Sequence, residues 1–218
     1  MMEKAAGRIM DSGLGKAPLA ALTDRAFSEP SCAPWMDVLA FDYYDPFIGD
    51  HLETRSLFRC RLRKDPWEWG LVPEGLGGFL DAYADLAQGM PIHIVENGMA
   101  YACRQGRAAE PRPDRADRVE VLKAHLFECL EARNRGRPLE AYFYWTLFDN
   151  YEWGSFAPRF GMLAVDYERG GLRSPLDASG NNAAGAYRAI VQAFRSRDKA
   201  ALKEAFLAQS YPLLFPAA

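Results

Sequence analysis

No apolar run in this sequence approaches the length of a membrane span, and its start, MMEKAAGRIM, lacks the apolar core of a signal peptide. A soluble, cytoplasmic protein is the expectation. Cys32, Cys60, Cys103 and Cys129 include no close pair, so neither zinc spacing nor a disulfide framework is present, and buried reduced thiols are expected. The formal net charge of -3 gives no electrostatic footprint for nucleic acid or an anionic membrane surface. The basic cluster from Arg104 to Arg118 is interrupted by Glu110, Asp114 and Asp117, and reads as a solvated loop and helix start. What remains is 218 residues, 49% of them hydrophobic, enough for one globular unit with a core or a piece of a larger one. Aromatic residues gather in a few places, where they suit either core packing or stacking platforms for sugars.

Along the chain, residues 1–35 are weakly patterned, with a short helix expected over Pro18 to Phe27. Met36 to Phe41 is dense enough in apolar residues to be a strand buried on both faces, and it ends in Asp42-Tyr43-Tyr44. From Phe47 to about Pro73 no period is visible, although the stretch holds His51, Trp67 and Trp69. Leu76, Phe79, Leu80, Tyr83 and Leu86 then fall on one helical face, with Gly89 as C-cap. Pro91 to Val95 predicts a second strand, which delivers Glu96 into an Asn97-Gly98 turn. A helix is expected from near Asp114, burying Val119, Leu122, Leu126 and Leu130 and closing at Gly136. Leu139 to Leu147 predicts a third strand, followed by a short extended segment around Arg159 to Asp166. Ser179 can cap a last helix whose buried face is Ala183, Tyr187, Ile190, Val191 and Phe194. The tail, residues 197–218, holds a possible short helix and then prolines. Alternating strands and helices predict a parallel sheet, and all three strands end in carboxylates and aromatics, as on the catalytic face of a (β/α)8 barrel. Three repeats are too few to close one.

With the strands placed, Val95-Glu96-Asn97-Gly98 resembles the nucleophile motif of glycoside hydrolase family 1, the β-glucosidase and β-galactosidase family. Tyr142 to Trp153 (YFYWTLFDNYEW) resembles that family's last-strand signature, and Arg159-Phe160-Gly161 with Val165-Asp166 continues it. Asp42-Tyr43-Tyr44 stands where the family has Asn-Tyr-Tyr, and Val72 to Leu76 (VPEGL) resembles its Tyr-Pro-Glu-Gly-Leu. The resemblance implies the last three strand–helix units of a TIM barrel, resembling strands 6 to 8, over residues 36–196. It implies a retaining β-glycosidase in which two carboxyl groups flank the sugar, about 5–5.5 Å apart. Glu96 would be the nucleophile and Tyr44 its hydrogen-bonding partner. Trp145, Glu152, Trp153, Phe160 and Asp42 would bind the carbohydrate. No cofactor or metal is implied. Glu152 would repel a sugar phosphate, which favours an unphosphorylated glycone. Each residue also has a plainer reading: Trp145 and Phe143 as core, Glu152 as a solvated acid, Tyr44 as packing.

Two departures limit what the resemblance implies. The acid/base carboxylate of the family lies in Asn-Glu-Pro, and Ser28-Glu29-Pro30 imitates it. Only Ser31 to Trp35 separate Glu29 from the strand resembling the sixth, so no intervening helix, strand and helix fit, and Glu29 reads as an exposed helix end. The earlier strands would lie on a complementary N-terminal polypeptide, on an upstream part of the gene, or nowhere. Asp42 in place of Asn adds a charge that would raise the pKa of a carboxyl buried with it. The alternatives are a catalytically inactive remnant that binds a sugar or partner or self-associates through an open sheet, or a transglycosylase.

Overall fold

The computed structural model describes residues 37–44, 65–87, 89–103 and 109–216. The chain divides after Asp37, and the unit from Val38 onward is the one with described structure. The expected helix at Pro18 to Phe27, and Glu29, Cys32, Cys60 and His51, all lie outside the described residues.

Three strands form a parallel sheet in the order β1 (Leu39–Tyr43), β2 (Ile92–Asn97), β4 (Leu139–Tyr144), with β2 in the middle. Helix α1 (Pro73–Ala87) joins β1 to β2, α2 (Arg118–Asn134) joins β2 to β4, and α3 (Ala183–Ser196) and α4 (Lys199–Leu207) follow. The architecture is α/β. Four two-residue strands, β3 (Tyr101–Ala102), β5 (Pro158–Arg159), β6 (Val165–Asp166) and β7 (Leu172–Arg173), make two small antiparallel ladders, β3 with β5 and β6 with β7. No helix among the described residues is long and apolar enough to cross a membrane.

The helices cover one face of the sheet. Ile92, Ile94, Leu139 and Tyr43 pack with Leu76 and Leu80 of α1 and with Cys129 and Ala132 of α2. Each fully buried Ile or Leu there contributes about 1.5–3 kcal/mol. A second cluster joins Leu122 and Leu126 of α2 to Ile190 of α3, Ala205 of α4 and the loop residues Met162 and Leu163. The other face stays open among the described residues: Ala40 and Asp42 are exposed, Val95 is 38% exposed and Phe143 55%. This corrects the expectation that the first strand is buried on both faces, because no described element packs on that side. That strand also lies later than expected, since Tyr43 is drawn into the core, where its hydroxyl donates to Val72 O at 2.7 Å.

The helix ends follow from local hydrogen bonding. Asp117 caps α2, accepting from Val119 N and Glu120 N, so the helix begins at Arg118 and not near Asp114. Asp114 is held instead by Arg112, at 3.0 and 2.7 Å. Gly136 ends α2 at φ 80, a left-handed conformation that costs glycine little. The cap of α3 is Asn182, which accepts from Gly185 N at 3.0 Å, in place of the expected Ser179. Ser179 N is already engaged by Asp177 Oδ1. Phe194, expected on the buried face of α3, is 45% exposed and lies under the Arg133 guanidinium.

Candidate active site

Side chains alternate across a strand, so Glu96 would share the helix-covered face with Ile92 and Ile94 if β2 were regular. It is not regular. Phe41 pairs with Ile94 but Asp42 pairs with Glu96, which leaves Val95 as an extra residue opposite β1. A bulge of this kind re-aims the residues after it. Beyond it Asn97, not Glu96, turns into the core, where its amide donates to Tyr43 O at 2.7 Å and accepts from Tyr142 Oη at 2.6 Å. Asn97 thereby ties β2 to both neighbours at their carboxyl ends. Gly98 follows because a Cβ there would lie 2.1 Å from Trp145 O.

Glu96 is half-buried, and Tyr44 Oη donates to its Oε2 at 3.2 Å. Burial pushes the Glu96 carboxyl above the usual carboxylate range. The charge of Asp42 on the neighbouring strand adds to that rise, and so, less strongly, does Glu152, while the Tyr44 hydrogen bond opposes it. Burial and the adjacent Glu96 hold the Tyr44 hydroxyl firmly protonated, so it remains a donor.

Rings wall this carboxylate. Tyr44 meets Trp69 edge-on at 5.3 Å and Phe160 at 6.2 Å, and Trp69 meets Trp153 at 5.6 Å. Phe160 is buried behind Tyr44 and Trp69, whereas Trp153 is largely exposed. Trp153 lies at φ 52 in the tight turn that Glu152 and Ser155 close through reciprocal backbone bonds. A non-glycine residue in that region is uncommon and clusters at ligand sites. Glu152 Oε1 accepts from Trp145 Nε1 at 2.8 Å and from Asn150 Nδ2 at 2.7 Å. Trp145 N in turn donates to Asn97 O at 2.9 Å. Tyr44, Asp42, Glu96, Trp145, Glu152, Trp153 and Phe160 therefore converge at the carboxyl ends of the three strands.

Three contributors were not singled out from the sequence. Trp69 lies in the stretch without a period. Arg112 is buried and donates to Ala100 O at 3.0 Å and to Trp69 O at 2.8 Å. Arg118, expected in a solvated helix start, is fully buried. Its Nε donates to Asp177 Oδ2 at 2.8 Å, and its Nη atoms lie 2.6–2.8 Å from Tyr144 Oη and the carbonyls of Met99, Phe160 and Arg159. It fastens the loop after Glu96 to the loop bearing Phe160. A signal was present: Arg118 stands four residues before Leu122 and eight before Leu126, on the apolar stripe of α2.

Several known proteins are similar to this chain over part of their length. A β-galactosidase of Sulfolobus acidocaldarius is 37% identical over 125 residues, 56% of this chain and 23% of the relative. Beta-glucosidase A of Thermotoga maritima is 31% identical over 140 residues, 61% of this chain and 30% of the relative. A 6-phospho-beta-galactosidase of Streptococcus pneumoniae is 33% identical over 104 residues, 47% of this chain and 22% of the relative. Among solved structures, the family 1 β-glucosidase of Thermotoga maritima with isofagomine lactam aligns over 62% of this chain and 29% of its own, with a TM-score of 0.46 and 30% identity. The chain thus spans less than a third of the length of these relatives. The family model for glycosyl hydrolase family 1 matches residues 43–188, most of the chain, and the chain belongs to that family.

Proposed function

We propose that this chain carries the nucleophile side of a retaining β-glycosidase site, built on units that correspond to the last three strand–helix repeats of a (β/α)8 barrel. The observation that carries this reading is the Tyr44–Glu96 hydrogen bond, formed between neighbouring strands at their carboxyl ends. In this role Glu96 attacks the anomeric carbon, the glycosidic oxygen leaves with a proton from a second carboxyl group, and water then releases the sugar from the Glu96 ester. Tyr44 stabilises the carboxylate before attack. Glu152, oriented by Trp145 and Asn150 through one oxygen, has its other oxygen for sugar hydroxyls, and Trp145 and Trp153 offer ring faces. An anionic Glu152 disfavours a phosphorylated glycone, so an unphosphorylated β-glycoside fits best.

The second carboxyl group must face Glu96 across the sugar. Asp42 stands beside Glu96 on the adjacent strand, and Glu152 is engaged by Trp145 and Asn150, so neither fills that role. A polypeptide bearing the remaining strands and an Asn-Glu-Pro would supply it, against the open face that carries Val95 and Phe143. The test is a 2-fluoroglycoside bearing a good leaving group, followed by peptide mass spectrometry, on the chain alone and with such a polypeptide. Labelling of Glu96, abolished in Glu96→Gln, supports the reading. A folded, reconstituted complex that takes no label refutes it.

One observation favours a second reading, sugar binding without hydrolysis. Asp42 in register with Glu96 raises the carboxyl pKa and works against an ionised nucleophile. Under this reading a glycoside quenches or shifts tryptophan emission, and nitrophenyl glycosides are not turned over. Cys103, half-buried, and Cys129, buried, form no disulfide, which suits a reducing, cytoplasmic setting.

A further inference from the structure

Away from the strand ends, α2, α4 and the start of α1 bound a groove of about 830 Å³. Its floor is apolar, with Phe127 53% exposed and Leu207 64% exposed beside the half-buried Phe206. Single exposed apolar residues are ordinary, but a contiguous patch with a charged rim marks an interaction surface. The two walls carry opposite charge. Glu74, Glu128 and Glu131 line the α1–α2 side, where Lys123 is already paired with Glu120 at 2.9 Å, while Lys199 and Lys203, one turn apart on α4, line the other. Among the described residues, no ion pair joins either lysine to an acid. The acidic wall is crowded: burial, and after it the charge of Glu74, raise the Glu128 carboxyl above its usual range.

We propose that this groove is a self-complementary interface between two copies of the chain, with α4 of each copy lying along the α1–α2 wall of the other. A two-fold axis makes the same patch serve both sides, so a surface carrying both halves of a charge pattern can satisfy itself. Rotation sets Lys199 and Lys203 of each copy against Glu128 and Glu131 of the other, and closes Phe127 and Leu207 from water. A partner of uniform charge would match one wall and be repelled by the other. The apolar floor supplies affinity, and the charges fix register. The surface belongs to the helix layer and leaves the strand ends uncovered.

Sedimentation equilibrium of the whole chain over a wide concentration range tests this. The wild type is expected to dimerise reversibly. Lys199→Glu with Lys203→Glu places like charges opposite each other and should raise the dissociation constant roughly a hundredfold, as should Glu128→Lys with Glu131→Lys. Mixing the two reversed proteins should restore dimers as heterodimers. Leu207→Asp provides an independent loss variant, with circular dichroism confirming that each protein folds. A wild type monomeric at every concentration overturns the proposal. So does a dimer indifferent to all three variants, which places association on another surface, or a mixture that fails to pair.

Discussion

Replacing Arg118 with Met removes a cation that joins five partners beneath the site, while keeping most of the side-chain volume. The structure sets the magnitude. Arg118 and Asp177 both have fully buried side chains, 2.8 Å apart. After substitution Asp177 keeps only the backbone donors Ser179 N and Asn181 N, and the carbonyls of Met99, Phe160 and Arg159 lose a charged donor. Breaking a buried pair from one side costs about 3–5 kcal/mol. That is a large part of the roughly 5–15 kcal/mol that stabilises an ordinary domain. With a urea slope of about 2 kcal/mol per molar, the unfolding midpoint should fall by about 2 M. The assay is urea unfolding followed by tryptophan fluorescence. Arg118→Lys should recover little, because an ammonium cannot reproduce the planar fork. Arg118→Met with Asp177→Asn should be at least about 1 kcal/mol more stable than Arg118→Met alone, since the stranded charge is gone. A single variant with its midpoint unchanged within about 0.5 M would refute the reasoning, as would a double variant no better than the single.

Carboxyl NMR of Glu96 gives a pH test with a defined sign. Asp42→Asn removes a charge that raises the Glu96 pKa, so its titration should move to lower pH, whereas Tyr44→Phe removes a donor to the carboxylate and should move it to higher pH. Opposite or absent shifts would contradict the geometry. Asn97→Ala removes the amide that donates to Tyr43 O and accepts from the Tyr142 hydroxyl and should cost about 2–4 kcal/mol by urea unfolding. Gly98→Ala forces a methyl against Trp145 O and should cost about 1–3 kcal/mol while altering near-ultraviolet tryptophan dichroism. An unchanged spectrum and stability would place that contact in doubt.

The sequence made the strand ends legible because carboxylates and rings follow each apolar run, and it ordered the helices because Leu76, Leu80, Leu122 and Leu126 keep helical spacing. The bulge at Val95 was not legible, since a skipped pairing leaves no mark on a short β-branched run. The exposure of Val95 and Phe143 was hidden for a related reason: apolar residues on both faces read as burial whether or not anything covers them. Arg118 was read as solvated because charge was weighed before its position on the stripe of α2. Ser179 and Asn182 are both good cap residues, but α3 starts at Ala183, which puts Asn182 and not Ser179 at the cap position. Trp69 could not be assigned from a segment without a period, and only its ring contacts place it beside Tyr44.

The parallel register of β1, β2 and β4 also bears on how the molecule comes to exist. Leu39 meets Ile92, and Ile92 meets Leu139, so no hairpin can seed the sheet and every pairing closes a long loop of chain. Such non-local contacts are slow to nucleate, because loop entropy is lost before any strand pairing rewards it. Helices α1 and α2 are local and can form first, and their apolar stripes are the templates on which the strands collect. The Tyr44–Glu96 hydrogen bond spans two of these strands, so it depends on a β1–β2 pairing that is backed by core residues of the helix layer such as Leu80.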